Sequence, residues 1–395
     1  MLERAIFRNS EDSFLIGIGC QASFQLESTR KWSEFDAFIE QHQNKTLFTI
    51  INYQLGADIL DVSRKPNTLP LLCIWAPEST YLFRNNDYTL LEGTGSDIHL
   101  EAAKRLFQTT HPVPKDIQWK AKIDRETYLE RVNKLKEHIQ LGDIYEINFC
   151  QLFEANEIEL ETIQPFFRTL WDNNPTPFTA LAETPNWMLA SASPERFIRK
   201  IGNQLLSQPI KGTAPRGTTA TEDQNLIRNL EDNPKERAEN IMIVDLVRND
   251  LSQIATKGSV KVDELCKVYT FPTVHQLIST VSCELKKNTR FSDILKAAFP
   301  MGSMTGAPKK AAVELSERYE GFPREFYSGS FGVIYPNGDF DLNVLIRTIV
   351  YDPQQKQLSC GVGGAITILS DPEAEYEECR TKVGRILALF GTCQW

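Results

Sequence analysis

The sequence predicts an α+β protein with sizeable sheets covered by helices, and three observations lead to this fold class. Its 395 residues, 41% hydrophobic and 24% charged, can bury a large core of the ordinary globular kind. Residues 1–115 are mostly short apolar segments between polar turns, as strands are. Over residues 120–395, strand-like segments alternate with long helix-like ones. We therefore expect an N-terminal β-rich region at 1–115 and a larger region at 120–395, joined in one intertwined fold.

Local signals place individual elements along the chain. Residues 47–53 are typical of a strand, and the polar stretch at 111–115 indicates a link. Asp124 is a suitable N-cap for a helix that ends at Gly142, because a carboxylate accepts hydrogen bonds from free N–H groups and glycine tolerates a left-handed conformation. A strand at 144–149 follows at once.

Charge and cysteine usage exclude several classes of function. A net charge of −9 disfavours nucleic acid or an anionic membrane as the main partner. No apolar stretch is long enough for a signal core or a membrane span, so we expect no membrane association. Eight scattered cysteines without a C-x-x-C pair suit reduced thiols, which indicates a cytoplasmic protein.

The segment 207–217 places Lys211 between an apolar strand and a turn bounded by two prolines. Gly212 lets the backbone approach a ligand, and Thr213 adds a hydroxyl. Desolvation there would lower the pKa of Lys211 and make it an amine nucleophile. The plain alternative is a surface lysine on a hairpin.

Carboxylates supply candidate acid, base and metal groups. Glu195 stands at a turn before an apolar strand and is a general acid or base if buried, or else a turn carboxylate paired with an arginine. In the helical segment 237–250, Glu239 and Asp245 are candidates to point into a site, although most such charges are solvated.

The last predicted helix begins at Asp371 and places Glu375, Glu378 and Lys382 on one face, at i, i+3 and i+7. Two carboxylates so spaced could hold a Mg²⁺ ion. The alternative is a solvated pair between the second glutamate and the lysine.

Three segments suit an anionic ligand. Small residues at 300–309, Thr305 among them, lead into a helix whose free N–H groups could meet an anion. Arg347 lies on an otherwise apolar strand and needs an anionic partner if buried. Gly363 and Gly364 would let backbone N–H groups approach a carboxylate. An ordinary start of a helix and a structural arginine–aspartate pair are the alternatives.

Taken together and in this order, the segments over residues 120–392 resemble the chorismate-utilising enzymes, which include anthranilate, aminodeoxychorismate, isochorismate and salicylate synthases. The resemblance implies the anthranilate synthase component I-like fold, with two packed β-sheets, helices on the outside and the site in a chorismate-binding catalytic region. It also implies the following roles: catalysis by Lys211 and Glu195; Mg²⁺ binding by Glu239, Glu375 and Glu378; and substrate binding by Gly212, Thr213, Thr305, Tyr327, Arg347, Gly363, Gly364 and Lys382.

Two positions select among the reactions of this family. Glu146 stands where isochorismate and salicylate synthases have a water-activating lysine, and Lys211 stands where anthranilate synthases usually have alanine. The form Pro-Ile-Lys-Gly-Thr resembles the aminodeoxychorismate synthase branch. This implies that the lysine attacks C2 of chorismate and expels the C4 hydroxyl. Ammonia then adds at C4 and displaces the lysine from C2. The product, 4-amino-4-deoxychorismate, leads to para-aminobenzoate and folate.

The remaining expectations concern partners and alternatives. Without a recognisable nucleophile turn for glutamine hydrolysis, ammonia is expected from a separate glutamine amidotransferase subunit or from solution. The family often has histidine where this chain has Gln276, with His275 one place earlier, so a histidine role is in doubt. The alternatives are an anthranilate synthase component I and a non-catalytic chorismate-binding subunit.

Overall fold

The computed structural model describes residues 3–10, 12–108 and 114–395, and over these residues the chain forms twenty-two strands and ten helices. The strands are β1 (Arg4–Ser10), β2 (Ser13–Ile18), β3 (Ala22–Leu26), β4 (Leu47–Ile51), β5 (Leu72–Ala76), β6 (Ser79–Arg84), β7 (Asp87–Gly93), β8 (Ile117–Ala121), β9 (Glu146–Ala155), β10 (Phe178–Glu183), β11 (Met188–Ser193), β12 (Arg196–Ile201), β13 (Gln204–Gln208), β14 (Ile210–Pro215), β15 (Lys261–Thr270), β16 (Val274–Glu284), β17 (Gly306–Ala307), β18 (Ser330–Ile334), β19 (Phe340–Asn343), β20 (Thr348–Asp352), β21 (Gln357–Ile366) and β22 (Gly391–Gln394). The helices are α1 (Trp32–Gln41), α2 (Gln54–Ile59), α3 (Asp97–Arg105), α4 (Arg125–Leu141), α5 (Gln164–Asn173), α6 (Ala220–Asp232), α7 (Pro234–Ser252), α8 (Phe291–Ala298), α9 (Lys309–Tyr319) and α10 (Pro372–Leu387).

The strands form two sheets, which confirms the predicted α+β class. Within the described ranges the first sheet has twelve strands in the order β22-β8-β9-β21-β20-β11-β10-β1-β2-β6-β7, with β17 paired to β9. The second has ten, in the order β14-β16-β13-β12-β19-β18-β4-β5-β3, with β15 paired to β16. Strands from the first hundred residues lie inside both sheets, since β1 pairs with β10 and β4 with β18.

The division at residues 115–120 stays a prediction, and the proposed link at 111–115 lies largely outside the described residues.

The two sheets share a hydrophobic core. One cluster of buried side chains contains Ile6 and Ile349 from the first sheet and Ile198 and Leu342 from the second. Because alternate residues of a strand point to opposite faces, the apolar positions of each sheet can meet those of the other. The packed sheets give a rigid support for side chains at their margins.

Helix α4 confirms the sequence prediction closely, because Asp124 accepts a hydrogen bond from the Thr127 amide at 2.8 Å and Gly142 ends the helix at φ 84°. The N-terminal region differs from its prediction, since it contains three helices besides its strands. One signal was present in the sequence: Ser96 caps α3 by accepting from the His99 amide. In the described ranges, no helix has the length and apolar character needed to cross a bilayer.

Candidate active site

Lys211 lies on β14, at the edge of the second sheet, and the expectation that it occupies a turn is wrong. Ile210 pairs with Ile278 and Thr213 with Gln276, with a shift of register between them. Such an irregularity redirects the side chains of an edge strand. Gly212 has φ +91°, a conformation in which glycine is favoured, and it lies against α7.

The Lys211 ammonium lies among carboxylates. Its Nζ is 3.4 Å from Oε1 of Glu146, and the lysine side chain is only 13% exposed. Burial opposes the charge, but Glu146, Glu239 and Glu195 together outweigh it and raise the pKa of Lys211. The sequence-based expectation of a lowered pKa is therefore wrong for the free protein. Lys211 rests as an ammonium and must give up a proton before it can act as a nucleophile.

Glu146 was used in the sequence analysis only to distinguish the reactions of the family, and the structure places it beside Lys211. It begins β9, pairs with Ala307 of β17, and its side chain is 1% exposed. Its Oε2 is buried without a hydrogen-bond partner. A buried, unpaired carboxylate oxygen is costly, so this atom is a natural acceptor for a proton or a cation. The available signal was a glutamate inside an apolar strand segment.

Glu195 is buried immediately before β12 and only 4% exposed. Burial raises its pKa to about 7, although a hydrogen bond with Ser303 and the charge of Lys211 act in the opposite direction. The neighbouring Arg196 pairs instead with Asp341, with 2.8 Å between Nε and Oδ1. Within the described residues Glu195 forms no ion pair, so the alternative of a turn carboxylate paired with a nearby arginine is wrong. A carboxyl that titrates near neutral pH suits general acid–base work.

The three carboxylates expected to bind metal come from two helices. Glu239 projects from α7, and burial raises its pKa to about 7. Glu375 and Glu378 project from α10. Burial opposes the charge of Lys235, yet these three glutamates outweigh it and raise the pKa of Lys235. The Nζ of Lys235 is 3.8 Å from Oε1 of Glu239.

These residues fit a Mg²⁺ ion by their chemistry. Carboxylate oxygens are the hard donors that Mg²⁺ prefers, and Oε1 of Glu239 is buried without a hydrogen-bond partner. Among the described side chains, no three acidic, histidine or cysteine groups already stand together as a ligand set. In their place, the Lys235 ammonium offsets part of the negative charge of the three glutamates. Asp245, the other candidate on α7, instead pairs with Arg248 on the exposed surface.

The expected substrate-binding residues are spread over the neighbouring segments. Thr305 is buried, and its carbonyl accepts a hydrogen bond from the Asn148 amide at 2.7 Å. Lys382 pairs with Glu378 at 2.5 Å, as the plain alternative for this helix expected, and also donates to the Gly363 carbonyl at 3.2 Å.

Gly363 and Gly364 have no side chains that would crowd the neighbouring residues of the site. A Cβ added at Gly364 would lie 3.2 Å from Oε2 of Glu375, and one at Gly363 would lie 3.0 Å from Asn148. Tyr327 packs so closely over Gly361 that a side chain at that glycine would collide with the ring. These contacts bring the glycine-rich part of β21 against α10 and Tyr327.

Arg347 precedes β20 and has a left-handed backbone at φ 52°. In the part of the chain that the structure describes, its guanidinium makes no hydrogen bond or ion pair, so the structural arginine–aspartate alternative is wrong. Burial lowers the pKa of Arg347, and the nearby Arg385 lowers it further. A half-buried arginine without a protein partner is suited to an anionic ligand.

His275 is fully buried and belongs to a structural network. Its Nδ1 lies 2.9 Å from Oγ1 of Thr270, and its Nε2 lies 2.8 Å from Oδ1 of Asp223, which also binds Arg216. This network joins β16 to α6. It holds the edge of the sheet that carries Lys211, and it gives His275 a role in packing.

Known proteins with similar sequences identify the family of this chain. A family model described as "chorismate binding enzyme" matches residues 3–388. Aminodeoxychorismate synthase component 1 of Escherichia coli (strain K12) is 41% identical over 344 residues, covering 86% of this chain and 75% of that protein. Aminodeoxychorismate synthase of Streptomyces griseus is 42% identical over 272 residues, covering 68% of this chain and 37% of that protein. The match therefore spans little more than a third of the latter relative's length.

Solved structures show the same fold. Anthranilate synthase component I from Streptococcus pneumoniae superposes with a TM-score of 0.80 at 21% identity, covering 95% of this chain and 92% of that chain. The menaquinone-specific isochorismate synthase from Escherichia coli gives 0.76 at 16% identity, covering 98% and 88%. The anthranilate synthase component I-like fold predicted from the sequence is thereby confirmed. With the family model spanning nearly all of its length, the chain belongs to the chorismate-binding enzymes.

Proposed function

We propose that this chain converts chorismate and ammonia into 4-amino-4-deoxychorismate, as an aminodeoxychorismate synthase component I. The observation that carries the proposal is a lysine surrounded by three carboxylates, one of which, Glu195, has its pKa raised to about 7 by burial. A binding protein has no need of an amine beside a carboxyl that titrates near neutral pH. The similarity to aminodeoxychorismate synthases over most of this chain supports the same reaction.

The first step requires a neutral lysine. Oε1 of Glu146, 3.4 Å from Nζ of Lys211, is placed to take the proton from the ammonium. The amine then attacks C2 of chorismate, both double bonds of the ring diene shift by one position, and the C4–oxygen bond breaks. Glu195 donates the proton with which the hydroxyl departs as water. The result is a covalent adduct of Lys211 that equals chorismate and lysine less one water.

The second step reverses the pattern of bonds. Ammonia attacks C4, both double bonds shift back, and the C2–nitrogen bond breaks to release the Lys211 amine. The carboxylate of Glu195 accepts the proton that the new amine loses. Over both steps, chorismate and ammonia give aminodeoxychorismate and water, and the protein is restored.

The charges at the site orient a dianion. Mg²⁺ bound by Glu239, Glu375 and Glu378 would neutralise part of their charge and hold the ring carboxylate. Gly212, Thr213 and Lys382 would complete contacts near that carboxylate. The enolpyruvyl carboxylate would enter the pocket formed by Tyr327, Arg347 and the Gly363–Gly364 backbone, with Thr305 contributing to the substrate site.

The naming of the relatives as component 1 also supports a second component. We infer that a glutamine amidotransferase subunit supplies ammonia to this chain in the cytoplasm, and that the product serves para-aminobenzoate and folate biosynthesis.

Product analysis tests the proposal. The purified chain is mixed with chorismate, Mg²⁺ and an ammonium salt, and the products are separated by mass-resolved chromatography. The expected product is an amino-chorismate that a lyase converts to para-aminobenzoate. Anthranilate would assign the chain to anthranilate synthases, and isochorismate or salicylate would show water addition. No turnover, even with an amidotransferase, would support a binding subunit.

A further inference from the structure

Arg324 is a buried cation that the proposed mechanism does not use. Its side chain is 1% exposed, and that of its partner Glu320 is 3% exposed. Both carboxylate oxygens of Glu320 accept from the guanidinium, Oε2 from Nε at 2.8 Å and Oε1 from Nη2 at 2.6 Å. The guanidinium also lies over the Tyr53 ring, with 4.2 Å between Cζ and the ring centroid. Since a buried charge is costly unless its partners are fixed, these contacts hold the arginine in one place.

The same guanidinium joins two backbone segments. Nη1 donates to the carbonyl of Met304 and Nη2 to the carbonyl of Asn148, each at 2.7 Å. The two segments also meet directly, because the Asn148 amide donates to the carbonyl of Thr305 at 2.7 Å and β17 pairs with β9. Oε1 of Glu320 accepts from the Cys150 amide at 3.0 Å, which adds a further contact to β9. A planar guanidinium fixes two acceptors at a set separation and angle, whereas a lysine ammonium is a point charge on a flexible stem.

Each of these segments carries a group that bears on proton transfer in the proposed mechanism. Glu146 lies on β9, two residues before the carbonyl that the guanidinium holds there, and its Oε1 is 3.4 Å from Nζ of Lys211. Ser303 directly precedes the other held carbonyl, and its hydrogen bond with Glu195 opposes the rise in the pKa of that carboxyl that burial causes. Arg324 therefore supports the surroundings of both carboxylates through the backbone.

We propose that Arg324 is a positioning residue that aligns the acid–base groups of the site. By holding the two backbone segments together, it keeps the Ser303 hydroxyl on Glu195. It also keeps Glu146 beside Lys211. The inference rests on the proposed function for the roles of these groups. It deepens that function, because it assigns the alignment of the proton donor and acceptor to a residue outside the set that binds substrate and metal.

Kinetic measurements on the whole chain test this inference. Consumption of chorismate is followed with Mg²⁺ and ammonium for the wild type, Arg324→Lys, Ser303→Ala and the control Arg131→Lys, and circular dichroism shows whether each variant folds. Arg131 is a matched control because it donates to the Glu320 carbonyl at 3.1 Å and so contacts the same segment. Arg324→Lys keeps the charge but loses the fork, so kcat should fall about tenfold or more while KM changes less than about twofold.

The pH dependence of kcat distinguishes a positioning role from a purely structural one. A hydrogen bond to a charged carboxylate lowers its pKa, so loss of the Ser303 contact should raise the pKa of Glu195 above its value of about 7. The acid form then persists to higher pH. The decline in kcat should therefore move to higher pH in both Ser303→Ala and Arg324→Lys. Arg131→Lys should keep the kcat, KM and pH dependence of the wild type.

The inference is overturned if folded Arg324→Lys retains the wild-type kcat and pH dependence, if its loss is confined to KM, or if Arg131→Lys loses as much kcat. Should Arg324→Lys not fold, Ser303→Ala decides: a decline at higher pH supports the inference, and an unmoved decline overturns it. Failure of the proposed function has a different signature. A product other than aminodeoxychorismate, formed with the expected changes in kcat and pH dependence, would reject the proposed reaction and leave the positioning role standing.

Discussion

The two ends of the site have opposite charge balance. At one end, a single lysine lies among Glu146, Glu195 and Glu239, and carboxylate oxygens of the first and last have no hydrogen-bond partner. At the other end, Arg347 is half-buried, and within the described residues its guanidinium makes no hydrogen bond or ion pair. The first end has more acidic side chains than basic ones, whereas the second presents a cation without an acidic partner.

This difference indicates how the protein orients its substrate. The arginine end can bind a carboxylate directly, whereas the carboxylate end needs a cation before it can accept one. We therefore expect an elongated dianion to bind in one direction, with its ring carboxylate toward the glutamates and its side-chain carboxylate toward Arg347. The reacting carbons would then lie near Lys211 and Glu195. Substitutions at the carboxylate end of the site test this arrangement.

Removing the amine should have the largest effect. Lys211→Ala deletes the nucleophile, and we expect amination of chorismate to fall by about a thousandfold or more. The control is Lys267→Ala, because Lys267 is exposed and pairs with Glu264 away from the site. Initial rates with ammonium and Mg²⁺ measure both variants. Full activity in Lys211→Ala would exclude covalent catalysis, although amination by another route would remain.

Neutralising the acid should have the next largest effect. Glu195→Gln cannot donate a proton, so we expect the rate to fall about a hundredfold. In the wild type, burial raises the pKa of Glu195 to about 7, so the acid form is depleted as the pH rises past that value. The rate of the chemical step should therefore decline above about pH 7. A wild-type rate that rises steadily from pH 6 to pH 9, or a fully active Gln variant, would contradict this role.

Loss of a metal carboxylate should have a moderate effect on ion binding. Glu239→Gln removes a buried charged donor, and we expect Mg²⁺ affinity measured by calorimetry to fall at least about tenfold. Glu377→Gln is the matched control on α10, because Glu377 pairs with Arg380 at the surface. Equal Mg²⁺ affinity in the wild type and Glu239→Gln would exclude Glu239 as a ligand.

Removing the partner of the lysine should have the smallest effect. Burial opposes the charge of Lys211, and Glu146 contributes most to raising its pKa. Glu146→Gln should therefore lower the pKa of Lys211, because the largest of the contributions that raise it is removed. The pH dependence of Lys211 labelling by an amine-reactive reagent, followed by peptide mass analysis, measures this change. An unchanged or higher pKa would show that the 3.4 Å contact does not govern the lysine charge.

Much of the fold could be predicted because its signals are local. The cap at Asp124 and the stop at Gly142 determine the ends of α4 through contacts within a few residues. Asp371 begins α10 in the same way, by accepting from the Ala374 amide. The helices of the N-terminal region were missed because their apolar faces are short and lie between strand signals.

The charge state of the site could not be predicted in the same way. The pKa of Lys211 depends on Glu146, which is 65 positions earlier in the chain, and on Glu239 in another helix. Burial considered alone predicts a lowered pKa for Lys211, which is the wrong direction, because the neighbouring carboxylates raise it. The unpaired state of Arg347 likewise depends on which acids the fold keeps away from it. Residue types could be assigned to the site from motifs, but their electrostatics required the tertiary structure.

The most direct test of the covalent account is intact-protein mass spectrometry after mixing with chorismate and Mg²⁺ in the absence of ammonium. We expect a species heavier than the free chain by chorismate less one water, located on the peptide that contains Lys211 and absent from Lys211→Ala. Addition of ammonium should discharge it with release of the amino-chorismate. Product formation by a chain that never carries this mass, under conditions that trap intermediates, would contradict the central role of Lys211.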